Sequence, residues 1–303
     1  MIKLTDININ NLSLWIQQAK TQARRGKVIQ RIPLLSQANS DHFAVAISFC
    51  SGDNLSLGDD SCRFPLMSVV KPFSFLYLLE FFSQEELLKW VGIQPSLMPF
   101  NSLEQLIADD GYPRNPMINS GAITIADKLP GKDASDRTQL FCQWLNKLTG
   151  SKLYLDMEML ASVRSSRSQI NVAIAQYLYS QGNLQNTDLA IDTYEQICCI
   201  SGTVEDLAKL GQVLACNHDY INYQNMQLVN SIMLSCGLYE ISSKYAEEVG
   251  LPMKSGVSGT LITIVPNQGA IACYSPALDT FGNSVFGLEF IEILSNNFTL
   301  DKS

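Results

Sequence analysis

Ser68 and Lys71 stand three residues apart at the head of an apolar run, Ser68-Val69-Val70-Lys71, with Phe73, Phe75 and Leu76 close behind. On a helix, residues at that spacing point the same way. The hydroxyl can hand its proton to the amine, provided burial or a neighbouring cation keeps part of that lysine neutral. The result is an activated oxygen nucleophile suited to acyl transfer. Near the other end, Lys254-Ser255-Gly256 opens a strand-like run. Backbone N–H groups at Ser68 and Val257 would supply donors for an oxyanion, and glycines at 256 and 259 let a substrate approach that strand closely. Each residue also has an ordinary use. Ser68 suits a helix N-cap with Pro72 in the first turn, and Lys71 suits a solvated helix face, although its apolar neighbours favour dry surroundings.

The elements that must position these groups follow from periodicity. Asn8 to Arg24 reads as an amphipathic helix with Leu12, Leu14, Trp15, Ile16 and Ala19 on its apolar face. Phe43 to Phe49 reads as a strand, Ser51-Gly52-Asp53-Asn54 as a turn into a second strand, and the chain then arrives at Phe64-Pro65-Leu66-Met67 and Ser68. Helical patterning dominates from Ser68 to about Leu234, broken by loops around Asp109 to Pro116 and Gly182 to Asn186. Val257 to Ile264 and Gly269 to Ser275 read as strands, and Phe286 to Leu294 as a docking helix. The pattern predicts an α/β fold in which N- and C-terminal segments build one antiparallel sheet and the middle forms a largely helical lobe. The sheet lobe takes residues 1–67 and 240–303, the helical lobe 68–239, in one domain, with a site in the cleft between them.

Composition narrows the classes. The chain has 303 residues, 46% of them hydrophobic and 17% charged, which predicts a buried globular core. A formal net charge of −8 argues against a nucleic-acid partner, which needs a basic face. The segment Met1 to Asp6 lacks a basic region leading into an apolar one, so no signal peptide is expected. The longest apolar run, near Phe73 to Phe82, is about ten residues and contains Glu80, against the roughly 20 a membrane span needs. Eight cysteines show no Cys-x-x-Cys spacing; Cys198 and Cys199 are adjacent, and the rest lie mostly in apolar contexts. They are expected to be buried, reduced thiols of a cytoplasmic protein. With His42 and His218 the only histidines, no metal site or cofactor is expected.

Ser-x-x-Lys early and Lys-Ser-Gly late together form the signature set of serine acyl-transfer enzymes with the penicillin-recognising fold. Longer blocks sharpen the likeness. Asn115-Pro116-Met117-Ile118-Asn119-Ser120-Gly121-Ala122-Ile123, Ser235-Cys236-Gly237-Leu238-Tyr239, Gly250 to Gly259, and Ser275-Pro276-Ala277-Leu278-Asp279 with Gly282-Asn283-Ser284-Val285 resemble segments of the serine-dependent glutaminases. The resemblance runs in order from about Lys27 to Leu294. It implies an α/β fold related to the serine β-lactamases, hydrolysis of L-glutamine to L-glutamate and ammonia without metal or cofactor, and a homodimer or homotetramer. Carried over by position, Ser68 is the nucleophile and Lys71 its base. Tyr239 assists proton transfer and Tyr194 is a second pocket tyrosine. Asn119 and Asn171 bind substrate, and the Val257 N–H joins the oxyanion hole. Without the resemblance, ordinary half-buried packing serves the two tyrosines equally well.

The chain departs from the family at three recognition positions. Arg31 stands where the family has a tyrosine before Ile-Pro, Met67 where it has a glutamine before the nucleophile, and Arg164 where it has a glutamate seven residues before the second binding asparagine. That glutamate is expected to pair with the substrate's α-ammonium, which an arginine would repel. Either another acid, such as Glu158, fills the place, or recognition has changed. Four readings follow: a glutaminase with a drifted pocket; a same-fold amidohydrolase whose substrate has an extra carboxylate or no α-ammonium, met by Arg31 and Arg164; a non-catalytic binding relative; and a β-lactamase or penicillin-binding protein. Ser68 and Lys71 are both retained, which ranks the third low, and the missing signal peptide counts against the fourth. The partner expected is a small amide substrate, with neither nucleic acid nor membrane.

Overall fold

The computed structural model describes residues 3–23, 25–96 and 98–297. Its centre is a five-stranded antiparallel sheet. The strands run, edge to edge, Asn54–Gly58, Ala44–Phe49, Gly269–Tyr274, Thr260–Val265 and Met253–Gly256. The two ends of the sequence meet where Ala44–Phe49 pairs with Gly269–Tyr274, in the register Val45↔Cys273 and Ile47↔Ile271.

Alternation along these strands divides the interior into two cores. Val45, Ile47, Leu261, Val265, Ile271 and Cys273 face one way, toward the helices Ile9–Ala23 and Val285–Asn297. Ala44, Ala46, Ile262, Ile264, Ala270 and Ala272 face the other, into the helical half of the molecule. Both faces are covered, so the central strands are buried throughout. The predicted N-terminal helix is present as Ile9–Ala23; its expected last residue, Arg24, lies outside the described residues.

The helical half also holds a three-stranded sheet that periodicity did not predict: Phe64–Pro65, Ile200–Gly202 and Tyr154–Leu155, with Ile200–Gly202 in the middle. Strands of two and three residues are too short to carry an alternation signal. A second correction concerns the cysteines. Cys50 and Cys216 form a disulfide with Cα atoms 5.6 Å apart, whereas reduced thiols were expected. The partners are 166 residues apart in sequence, and only the docking of the helix Val204–Ala215 on the sheet brings them within bonding reach. Cys62, Cys142, Cys198, Cys199, Cys236 and Cys273 are free.

Candidate active site

The chain reaches Ser68 from the short strand Phe64–Pro65, which pairs with Ser201 and Gly202, and the Leu66 N–H donates to Ile200 O at 2.8 Å. Met67 then adopts φ 48°, a left-handed conformation costly for a residue with a Cβ. It opens the 3₁₀ turn Met67–Val70, which runs directly into the helix Lys71–Leu78. Ser68 is therefore no N-cap: Leu66 and Val70 hold the cap positions, and neither makes a side-chain cap bond. Lys71 is no surface lysine either, being 1% exposed against 8% for Ser68.

A buried ammonium needs acceptors, and the segment Asn115 to Asn119 provides them. Asn115 Oδ1 accepts from the N–H groups of Met117 and Ile118, at 2.9 and 3.2 Å, and so folds the loop. Gly121 allows that loop to lie against its helix, since a Cβ there would meet Asn115 O at 2.0 Å. So shaped, the loop offers Met117 O to Lys71 Nζ at 3.0 Å, and Asn119 Oδ1 accepts from the same amine at 2.8 Å. Tyr194 donates its hydroxyl to Asn119 Oδ1 at 3.2 Å, and Asn119 Nδ2 donates to Asn171 Oδ1 at 2.9 Å. Four of the residues singled out from the sequence thus form one hydrogen-bonded group. Burial lowers the Lys71 pKa to about 8, with Arg31 acting in the same direction and Cys198 against it. Nζ makes no hydrogen bond to the Ser68 hydroxyl in this arrangement; such contacts commonly tighten only when substrate is bound.

Tyr239 closes the other side. It too is left-handed, with φ 58°, and its ring lies 4.7 Å from that of Phe100. Its hydroxyl donates to Ser255 O at 3.2 Å. Burial raises its pKa far enough to keep it protonated, a rise that the nearby Ser68 hydroxyl partly opposes. Lys254 sits over the Tyr239 ring at 4.4 Å and donates to Gly237 O and Ser255 O, at 3.1 and 2.8 Å. It is fully buried, and burial together with Lys71 holds its pKa well below the ordinary lysine value. The backbone N–H groups of Ser68 and Val257 bond to no other described residue, so both remain available.

Ser68 opens into a small cavity whose walls include Arg31, Met67, Asn119, Asn171, Tyr194 and Val257. Lys71 and Tyr239 flank it through the contacts above. Arg164 is the exception. It does not line the cavity; its guanidinium turns outward and pairs with Asp192, both groups being more than a third exposed or close to it. The reason is helical geometry: Arg164 lies in the last turn of Met157–Ser165, on a side facing the helix Thr187–Cys198. Glu158, the expected replacement acid, is exposed and also outside the cavity. The carboxylate in the wall is Glu195, next to Tyr194 on the helix Thr187–Cys198. Arg167 grips it with both ends of its fork, Nε–Oε1 2.8 Å and Nη2–Oε2 2.6 Å. Sequence reasoning missed Glu195, Arg167, Phe100 and Cys198. Its one available signal for Glu195 was an acid adjoining a pocket tyrosine.

The arrangement can present an oxygen nucleophile, a partly neutral amine, a protonated phenol and two free amide donors around one small space. This is the equipment for acyl transfer. Among the described residues no group of His, Cys, Asp and Glu could hold a metal ion, and no helix is long and apolar enough to cross a membrane.

A family model described as Glutaminase matches residues 26–302. The chain is 42% identical over 283 residues to a glutaminase of Synechocystis sp., covering 93% of this chain and 86% of that protein. A solved structure of the probable glutaminase YbaS superposes with a TM-score of 0.89 at 31% identity, covering 97% of this chain and 98% of that one. The Bacillus subtilis glutaminase YbgJ, in covalent complex with 5-oxo-L-norleucine formed by reaction with 6-diazo-5-oxo-L-norleucine, superposes with a TM-score of 0.86 at 28% identity over 96% of this chain and 98% of that one. The mixed fold of helices and antiparallel sheet is the serine β-lactamase-like fold of these proteins.

Proposed function

The chain belongs to the glutaminase family, and from that premise we propose that it hydrolyses the side-chain amide of L-glutamine, giving L-glutamate and ammonia through an acyl-enzyme on Ser68. Ser68 Oγ attacks the amide carbonyl while neutral Lys71 takes its proton. The Ser68 and Val257 N–H groups receive the oxyanion of the tetrahedral intermediate. The C–N bond breaks and the departing nitrogen takes the proton that Lys71 had accepted, relayed by Tyr239, whose raised pKa makes it a donor rather than a phenolate, and Lys71 is neutral again. Water, activated by the same amine, then cleaves the Ser68 ester and frees glutamate. Asn119 and Asn171 hold the substrate, and Asn119 also fixes Lys71 and Tyr194. No metal or cofactor enters this scheme.

The observation that carries this reading is a lysine, fully buried one turn from a serine at a cavity wall, with its pKa drawn down to about 8. The reaction of the B. subtilis relative with 6-diazo-5-oxo-L-norleucine, a glutamine analogue, supports glutamine as the substrate. The experiment is ammonia release from a panel of glutamine, asparagine and dicarboxylate monoamides by the parent and by Ser68→Ala. Release from glutamine that Ser68→Ala abolishes is the expected result. A panel without Ser68-dependent release sinks the enzyme reading, and release from a monoamide in preference to glutamine moves the assignment to a same-fold amidohydrolase of different substrate.

The family resemblance also supports a homodimer or homotetramer in the cytoplasm. Light scattering on the eluting protein tests the first. The six free thiols fit a reducing compartment, while the Cys50–Cys216 bond weighs against one; alkylation of thiols at lysis tests which holds.

A further inference from the structure

Glutamine carries an ammonium and a carboxylate on one carbon, and a small protein cavity must answer both charges or reject them. Among the described residues, Glu195 is the only acid in the cavity wall. Its side chain is 8% exposed, and a carboxylate so placed is costly unless paired. Arg167 pairs it in bidentate fashion from a position 40% exposed. A carboxylate has about four acceptor sites, and Arg167 engages one on each oxygen. The rest are free: no other described group donates to Glu195. Arg31 lines the same cavity and has no ion pair among the described residues.

We propose that Glu195 is the receptor for the substrate's α-ammonium, anchored by Arg167, with Arg31 receiving the α-carboxylate. The inference rests on the glutaminase reading above and specifies how this chain recognises an amino acid. The charges then alternate from guanidinium to carboxylate, ammonium, carboxylate and guanidinium. The acid comes from the helix Thr187–Cys198 rather than from the helix Met157–Ser165, where Arg164 stands and faces away. The objection that an arginine would repel the ammonium is thereby removed. Glu195 is a specificity residue: it does not touch the amide, so its loss should act on binding.

The test is steady-state ammonia release by the parent and by Glu195→Gln, on L-glutamine and on the monoamide of glutaric acid, which lacks only the α-ammonium. Glu195→Gln should raise KM for glutamine by about 10–100-fold, the scale of one charge-assisted hydrogen bond in a dry site, with kcat nearly unchanged. KM for the monoamide should stay level or fall. Equal losses on both substrates would mean that the Arg167–Glu195 pair only holds the wall in shape, and an unchanged KM for glutamine would leave Glu195 with no part in recognition; either overturns the proposal. Should Glu195→Gln fail to fold, Glu195→Asp decides, because it keeps the charge for Arg167 but withdraws it from the ammonium. A KM rise confined to glutamine supports the receptor, and an equal rise on both overturns it. A parent that releases no ammonia from glutamine defeats the functional reading and this inference with it, whereas a parent active on glutamine with an indifferent Glu195→Gln variant defeats the inference alone.

Discussion

A lysine acts as a base near neutral pH only where its ammonium is disfavoured, and Lys71 meets that condition by burial more than by any neighbour. Its pKa lies below the ordinary lysine value, so the neutral amine gains as pH rises. The limb of kcat/KM that reports this group should climb with pH and level off, with its midpoint near 8. A rate that instead falls across that midpoint would show that the protonated form is the active one. Asn119 accepts from both Lys71 and Tyr194 while donating to Asn171, so one amide fixes the buried amine and the Asn171 side chain together. Asn119→Ala should accordingly damage kcat as well as KM, unlike Glu195→Gln. A change in KM alone would limit Asn119 to binding.

The element that brings the lobes together is the helix Val204–Ala215. Thr203 and Asp206 cap it reciprocally: Thr203 Oγ1 accepts from the Asp206 N–H at 3.3 Å, and Asp206 Oδ2 accepts from the Thr203 N–H at 3.0 Å. Alanines at 44, 46, 270 and 272 leave a shallow sheet face for it. Gly211 marks the closest approach, where a Cβ would lie 2.5 Å from the Ala270 Cβ and 2.7 Å from Ile262 Cδ1. The Ile262 tip can turn aside, but the Ala270 methyl cannot. Gly211→Val should cost about 1–3 kcal/mol, as overpacking does, read as a lower denaturant midpoint. An unshifted midpoint would mean that this contact is looser than it looks.

At the scale of the whole molecule, the fold closes on itself across its sequence. The first long strand pairs with a strand more than two hundred residues later, and Cys50 at its end is bonded to Cys216 at the end of the capped helix. A bond closing so long a loop restricts the unfolded chain strongly. Cys216→Ser should lose about 2–4 kcal/mol of stability under non-reducing conditions. Dithiothreitol should bring the parent down to the variant and leave the variant where it is. A parent and variant that melt together without reductant would show that the bond does not form in solution.

The sequence by itself pointed to the candidate acting groups and to the longer elements that hold them. Ser68 and Lys71 were legible as a pair because their relation is a local spacing, and the long strands and terminal helices because apolar runs bounded by turns and a 3.6-residue apolar period are written residue by residue. The block Asn115 to Gly121 was legible as a family likeness, and its loop geometry supplies the physical reason for those residue types. Tertiary structure alone decided which charges line the cavity. Arg164 and Glu195 lie on separate helices, and their directions depend on how those helices rotate against each other, which no local pattern encodes. The same is true of Cys50 and Cys216. A side chain's chemistry belongs to its residue, but its partner is chosen by packing between segments distant in the chain.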